Sequence, residues 1–182
     1  MEDLSLHILD IIQNSISAKA KNIEIELIDS RLDGFITLRI VDNGEGMDQE
    51  ILKKVEDPFY TTKGKKTGLG IPLLKQSCLE CEGDFRIESS PGRGCSITAK
   101  FRRDHIDRKP IGDIGSTIVS AIIACPECRF RFTAKKMSEK GEEEVFIFDT
   151  NEIKKELEDI PINSPPVLKF IKRLFEGFKF EP

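Results

Sequence analysis

The sequence predicts an α/β fold from three observations. Residues 3–20 place Leu4, Ile8, Leu9, Ile11, Ile12 and Ile16 at helical spacing. Residues 22–27 and 35–41 instead alternate apolar and polar side chains, the period of a half-buried strand. Ser90-Pro91-Gly92-Arg93-Gly94 is strong turn chemistry between two further candidate strands, 84–89 and 95–101.

The remaining elements follow in order. Residues 48–56 read as a short helix that stops before Pro58. A polar, lysine-rich loop spans 59–67. A helix begins near Gly70, with Pro72 in its first turn, where a missing N–H costs little. It ends around Cys81, and Gly83 fits its C-terminal cap. Composition then changes, and 104–110 reads as a linker. Beyond it the sequence predicts a helix over 112–124 and a hairpin from 129–136 to 144–148 around Ser138–Gly141. A helix over 151–158 takes Thr150 or Asn151 as its cap, and a last helix covers 165–175. Ile118, Ile122, Val145, Ile147, Leu168, Ile171 and Phe175 are the expected core of this C-terminal part. At about 75 residues it is small for a core of its own, so it is expected to dock on the first part.

Composition narrows the function classes. The chain has 182 residues, with 28 Lys and Arg against 32 Asp and Glu, a net charge of −4. That balance argues against a general nucleic-acid binder. No apolar run approaches the ~20 residues of a membrane span. The start, Met1-Glu2-Asp3, is acidic and does not read as a signal peptide. Five cysteines, an odd number, lead us to expect a cytoplasmic protein with mostly free thiols.

The chemistry is concentrated in the first hundred residues. Asp42-Asn43-Gly44-Glu45-Gly46-Met47 sets a carboxylate at a strand end, followed by two glycines; alone it is a tight turn. Asp10 and Asn14 lie one helical turn apart, so both can face one pocket. Gly68-Leu69-Gly70-Ile71 opens a helix whose N-terminal amides suit phosphate.

Taken in order, these motifs resemble the ATP-binding domain shared by gyrase, heat-shock-ninety chaperones, histidine kinases and MutL proteins. The resemblance covers residues 7–101. Asp10-Ile11-Ile12-Gln13-Asn14 matches the first box and Asp42–Met47 the second. Asp57-Pro58-Phe59-Tyr60-Thr61-Thr62-Lys63 is similar to the ATP lid of nitrogen-regulator-type sensor kinases. Gly68–Ile71 and Ser90–Cys95 match the last two boxes. The resemblance implies a two-layer α/β sandwich, with helices on one face of a mixed sheet. It implies an ATP-binding domain over 1–103, leaving 111–182 as a small α+β region.

The same resemblance implies the ligands. Asp42 would accept a hydrogen bond from the adenine amine, with Gly44, Gly46 and Met47 around the base. Asn14 would bind Mg²⁺ through its amide oxygen. Asp10 stands where gyrase-like and MutL-like ATPases carry a water-activating glutamate, so it is the candidate catalytic residue. Phe59, Thr62 and Lys63 would form the lid, and Gly68, Leu69, Gly70 and Ile71 would cradle phosphates. The last box departs from the family: Cys95 replaces a threonine whose hydroxyl joins the adenine site. Ser96 is the nearest hydroxyl and is kept as a candidate, although one residue along a strand turns to the other face.

Three functions fit. One is a kinase-type domain passing the γ-phosphoryl group to a separate protein. The others are an ATP hydrolase with nucleotide-driven lid closure or homodimerisation, and a non-catalytic nucleotide-sensing module. His7 and His105 are weak phosphoacceptors. The pairs Cys78–Cys81 and Cys125–Cys128 are too far apart for a compact zinc ribbon, so free thiols are the simpler reading for both, with a metal or redox role for Cys125 and Cys128 left open.

Overall fold

The computed structural model describes residues 3–55, 69–178 and 180. Helix α1 (Leu4–Ser17) is followed by strands β1 (Asn22–Ser30) and β2 (Phe35–Asp42), a short helix α2 (Gln49–Lys54) and helix α3 (Gly70–Glu80). Strands β3 (Asp84–Ser89) and β4 (Cys95–Arg102) come next, then helix α4 (Ile114–Ala124) and strands β5 (Arg129–Met137) and β6 (Glu143–Asp149). Helices α5 (Thr150–Glu156) and α6 (Pro165–Glu176) complete the order.

One six-stranded mixed sheet runs β3-β4-β2-β1-β5-β6. Every neighbouring pair is antiparallel except β1 and β5, which run parallel with Ile23 opposite Phe130 and Leu27 opposite Ala134. The C-terminal segment therefore does more than dock: it supplies two strands of the sheet. Burial alternates along the strands. Ile23, Ile25 and Leu27, then Ile36, Leu38 and Ile40, and Phe130, Phe132 and Ala134 all point into one face, under the helices. The alternating pattern read in the sequence is this one-sided burial.

The helix layer is fixed by its caps and its core. Asp3 caps α1 by accepting from the Leu6 N–H at 3.0 Å. Two further α1 amides are met from the 104–112 segment: Leu4 N–H donates to Pro110 O at 2.9 Å and Ser5 N–H to Ile111 O at 2.8 Å. The chain entering that segment is also held to the sheet, where the Arg103 guanidinium donates to the buried Asp29 carboxylate at 2.8 Å. Phe132, Phe146 and Phe175 pack with tilted or edge-on rings, centroids 5.2–6.4 Å apart, joining α6 to β5 and β6.

Several local expectations are corrected. Asp149, not Thr150 or Asn151, caps α5, accepting from Asn151 N–H at 2.9 Å. Thr150 is buried and accepts from Phe130 N–H instead. At the end of α3, Glu82 takes the left-handed conformation (φ +51°), while the Gly83 N–H caps the helix by donating to Cys78 O at 2.9 Å. Gly83 lacks a side chain because a Cβ there would run into the Lys100 carbonyl of β4. Val145 and Ile147 belong to the open face of edge strand β6 and are 46% and 57% exposed, while Ile118, Ile122 and Ile171 are core.

The cysteines also depart from expectation. Cys78, Cys81 and Cys95 are free, but Cys125 and Cys128 are joined by a disulfide. The tight turn after α4, with Cys128 N–H donating to Cys125 O, brings their Cα atoms to 5.4 Å, within bonding range. Among the described residues no group of three or more His, Cys, Asp or Glu is placed to hold a metal. Nor is any described helix long and apolar enough to cross a membrane.

Candidate functional site

Asp42 is the last residue of β2, and the strand delivers its side chain beneath the end of α1. It is 9% exposed, and both carboxylate oxygens are engaged. Oδ2 accepts from Ser15 Oγ at 2.6 Å and Oδ1 from Gly44 N–H at 2.9 Å. Each oxygen keeps a lone pair for a ligand, so Asp42 is oriented rather than used up. Ser15, next to Asn14 on α1, was not singled out in the sequence. Its only signal is its place on the buried face of the helix.

The loop after Asp42 is clamped from two sides. Asn43 Oδ1 accepts from Lys21 N–H at 2.9 Å and Asn22 N–H at 2.8 Å, and Glu45 N–H donates to Ala18 O at 2.8 Å. On the far side Gly92 N–H donates to Glu45 O at 2.7 Å, and Met47 N–H to Ser89 Oγ at 2.9 Å. The loop glycines answer to these clamps. A Cβ on Gly44 would stand 2.8 Å from Ala18 O. Gly46 has φ +69°, and a Cβ there would strike the Ser90 carbonyl.

Gly94 packs directly on the strand end. With φ +76°, its Cα lies where any Cβ would run into the Asp42 carbonyl oxygen. Gly94→Ala is expected to cost about 2 kcal/mol of folding stability through φ strain and this clash. A denaturant midpoint equal to that of the unmodified chain would contradict the packing described.

Asp10 and Asn14 converge on the start of α3. A Cβ built on Gly70 would lie 3.1 Å from Asp10 Cβ, 3.5 Å from Asp10 Oδ2 and 3.7 Å from Asn14 Nδ2. A side chain at position 70 would press on Asp10, so glycine suits this close approach of α3 to α1. The two ends of the Asn14 amide are nearly the same size, so half a turn presents its oxygen to the same space. Burial raises the Asp10 carboxyl pKa above its ordinary value. The α3 N-terminus has no side-chain cap; Leu69 stands at its N-cap, and the Gly70 and Ile71 amides precede Pro72, which has none.

The register decides between Cys95 and Ser96. Cys95 pairs with Asp42 and Ser89, whereas Ser96 pairs with Val41 and Glu88 and so faces the other side of the sheet. The structure thus corrects the placing of Ser96: the side chain beside Asp42 is Cys95. Burial, with the Asp42 charge adding to it, pushes the Cys95 thiol up to about 12. It is a neutral S–H, a weak donor. Phe59, Thr62, Lys63 and Gly68 lie outside the described residues.

His7 occupies α1 one turn before Asp10, and it is buried. It is 1% exposed, its Nε2 is 3.4 Å from Ser77 Oγ of α3, and its Nδ1 has no partner. Burial, helped by the Lys109 charge, lowers its pKa from 6.5 to about 4. The unfolded chain therefore binds a proton that the folded one refuses between these values, and stability falls as pH drops through that window. The loss from this group should reach about 2 kcal/mol between pH 6.5 and 5. Denaturation of His7→Leu across pH 5–7 should lack that component; parallel curves for the two proteins would contradict it.

Comparison with known proteins identifies the family. The family model described as "Histidine kinase-, DNA gyrase B-, and HSP90-like ATPase" matches residues 2–105. The chain belongs to that family, and carries the ATP-binding domain that histidine kinases share. Sporulation kinase C of Bacillus subtilis (strain 168) is 37% identical over 86 residues, covering 47% of this chain and 20% of that protein. The signal transduction histidine-protein kinase AtoS of Escherichia coli (strain K12) is 44% identical over 61 residues, covering 34% of this chain and 10% of its own. The chain thus spans a fifth or less of these two relatives. A solved structure titled the N terminal domain of a DNA repair protein aligns with TM-score 0.51 at 16% identity, over 80% of this chain and 52% of that one. That likeness concerns the fold alone.

Proposed function

We propose that the chain binds Mg-ATP between α1, the Asp42–Met47 loop and the start of α3, and passes the γ-phosphoryl group to a separate protein. The observation that carries this reading is the convergence of Asp10 and Asn14 on Gly70, across from an oriented Asp42. In it, Asp42 accepts from the adenine amine while Ser15 and Gly44 hold its carboxylate in place. The amides of Gly70 and Ile71 take phosphate oxygens at the positive end of the α3 dipole. Asn14 would hold Mg²⁺, which spreads the phosphate charge when bound. Asp10 would accept the proton of the attacking group. As the family motif implies, Gly68 would join the phosphate cradle, and Phe59, Thr62 and Lys63 would serve as the lid over the nucleotide.

Transfer to another protein is favoured by the kinase names of the similar proteins and by the chain's own histidines. His7 is sealed between α1 and α3, and His105 Nδ1 accepts from Asp107 N–H at 3.2 Å. Neither is presented toward Gly70. Hydrolysis is the second reading, favoured by the half-buried Asp10 beside Gly70. Incubation with γ-labelled ATP and cell extract should label a protein band. Free phosphate with every candidate protein unlabelled would replace transfer by hydrolysis.

A further inference from the structure

The Cys125-Pro126-Glu127-Cys128 turn touches the segment that clamps the nucleotide loop, and nothing in the proposed reaction uses it. Cys128 Sγ lies 3.3 Å from the Ala20 carbonyl oxygen. Ala20 N–H donates to Ser15 O at 3.0 Å, and Ser15 Oγ donates to Asp42. Arg129 N–H, next after Cys128, donates to Lys21 O at 2.8 Å, and the Lys21 and Asn22 amides hold Asn43. Glu127 sits 3.7 Å from the Lys21 ammonium. The turn, residues 18–22 and the Asp42–Met47 loop are thus one continuous set of bonded contacts.

We propose that Cys125 and Cys128 form a redox-active dithiol site whose state sets how firmly residues 18–22 hold the adenine loop. The coupling to nucleotide rests on the ATP reading given above. Its partner is a dithiol reductant or the matching disulfide. One thiolate of the reductant attacks a sulfur of the pair, the S–S bond breaks and a mixed disulfide forms. The second reductant thiol then displaces it. Two electrons and two protons leave the reductant, which becomes a disulfide, and Cys125 and Cys128 become thiols. Cys125 is the more exposed of the two residues, at 4% against 1% for Cys128, in a turn whose Glu127 is exposed.

What changes at the contact is one proton. As a thiol, Cys128 donates to the Ala20 carbonyl; as half of a disulfide it has no proton to give. Reduction therefore tightens the hold on residues 18–22, and the reduced protein binds ATP better. The absence, among the described residues, of a third metal-ligating side chain near the pair favours thiol–disulfide chemistry over a metal site.

The test equilibrates the full chain in buffers of reduced and oxidised dithiothreitol, with mass spectrometry of the 125–128 peptide and ATP titration of each form. The pair should convert reversibly, and the reduced form should bind ATP about threefold more tightly. The Cys125→Ser/Cys128→Ser variant should bind like the reduced form in every buffer, because the serine replacing Cys128 supplies a hydroxyl donor. A pair that never converts, equal affinities, or tighter binding by the oxidised form would overturn the inference. Amide hydrogen exchange of residues 18–22 and 42–46 gives a nucleotide-free readout, expected to be slower in the reduced form. If neither form bound ATP, the ATP reading would fail while exchange still judged the coupling; equal exchange would overturn it.

Discussion

Asp42→Asn is expected to weaken ATP binding by about 1–3 kcal/mol, roughly ten- to a hundredfold, with folding stability nearly unchanged. The two consequences separate because of how Asp42 is held. An asparagine carbonyl can keep the Gly44 N–H bond now made by Oδ1. Its amide then faces Ser15, whose hydroxyl turns from donor to acceptor. The loop therefore survives, but the second oxygen, which could accept from an adenine amine, has become a donor. A calorimetric titration with ATP reads the affinity, and urea denaturation reads the fold. Unchanged affinity would remove Asp42 from the nucleotide site.

Asp10→Asn is expected to lower turnover by about 10²–10⁴-fold while ATP affinity changes little, the range typical of a lost general base. Asparagine occupies the same space against Gly70 and cannot take a proton. Burial raises the Asp10 pKa, so the acidic limb of the rate profile should lie above the ordinary carboxylate range, with activity lost as pH falls through it. Measured release or transfer of labelled phosphate that equals the parent's would leave Asp10 as a positioning group only.

The parts legible in the sequence are those set by local spacing. Asp10 and Asn14 are four residues apart on one helix, and Asp42 ends an alternating strand, so their directions follow from a single element each. Helices and strands are legible to within a few residues for the same reason. What stayed hidden depends on neighbours far along the chain. Ser15 meets Asp42 across 27 residues and Met47 meets Ser89 across 42. Parallel pairing of β1 with β5 joins segments about a hundred residues apart, and no local pattern announces it. Gly44 and Gly46 read as turn or ligand-approach positions and Gly83 as a helix cap, whereas Ala18, Ser90 and Lys100 are what exclude their side chains. The Cys125–Cys128 bond needed the turn geometry at the end of α4, which composition does not carry.

The proposed nucleotide site lies between α1, the Asp42–Met47 loop and the α3 N-terminus. Titrating Mg-ATP into isotope-labelled protein and following backbone amide NMR shifts tests it most directly. The largest shifts are expected at Asn14, Asp42–Met47, Gly70 and Ile71, with strand β6 and the Phe146–Phe175 cluster nearly still. Shifts centred on that aromatic cluster, or none at saturating ATP, would contradict it.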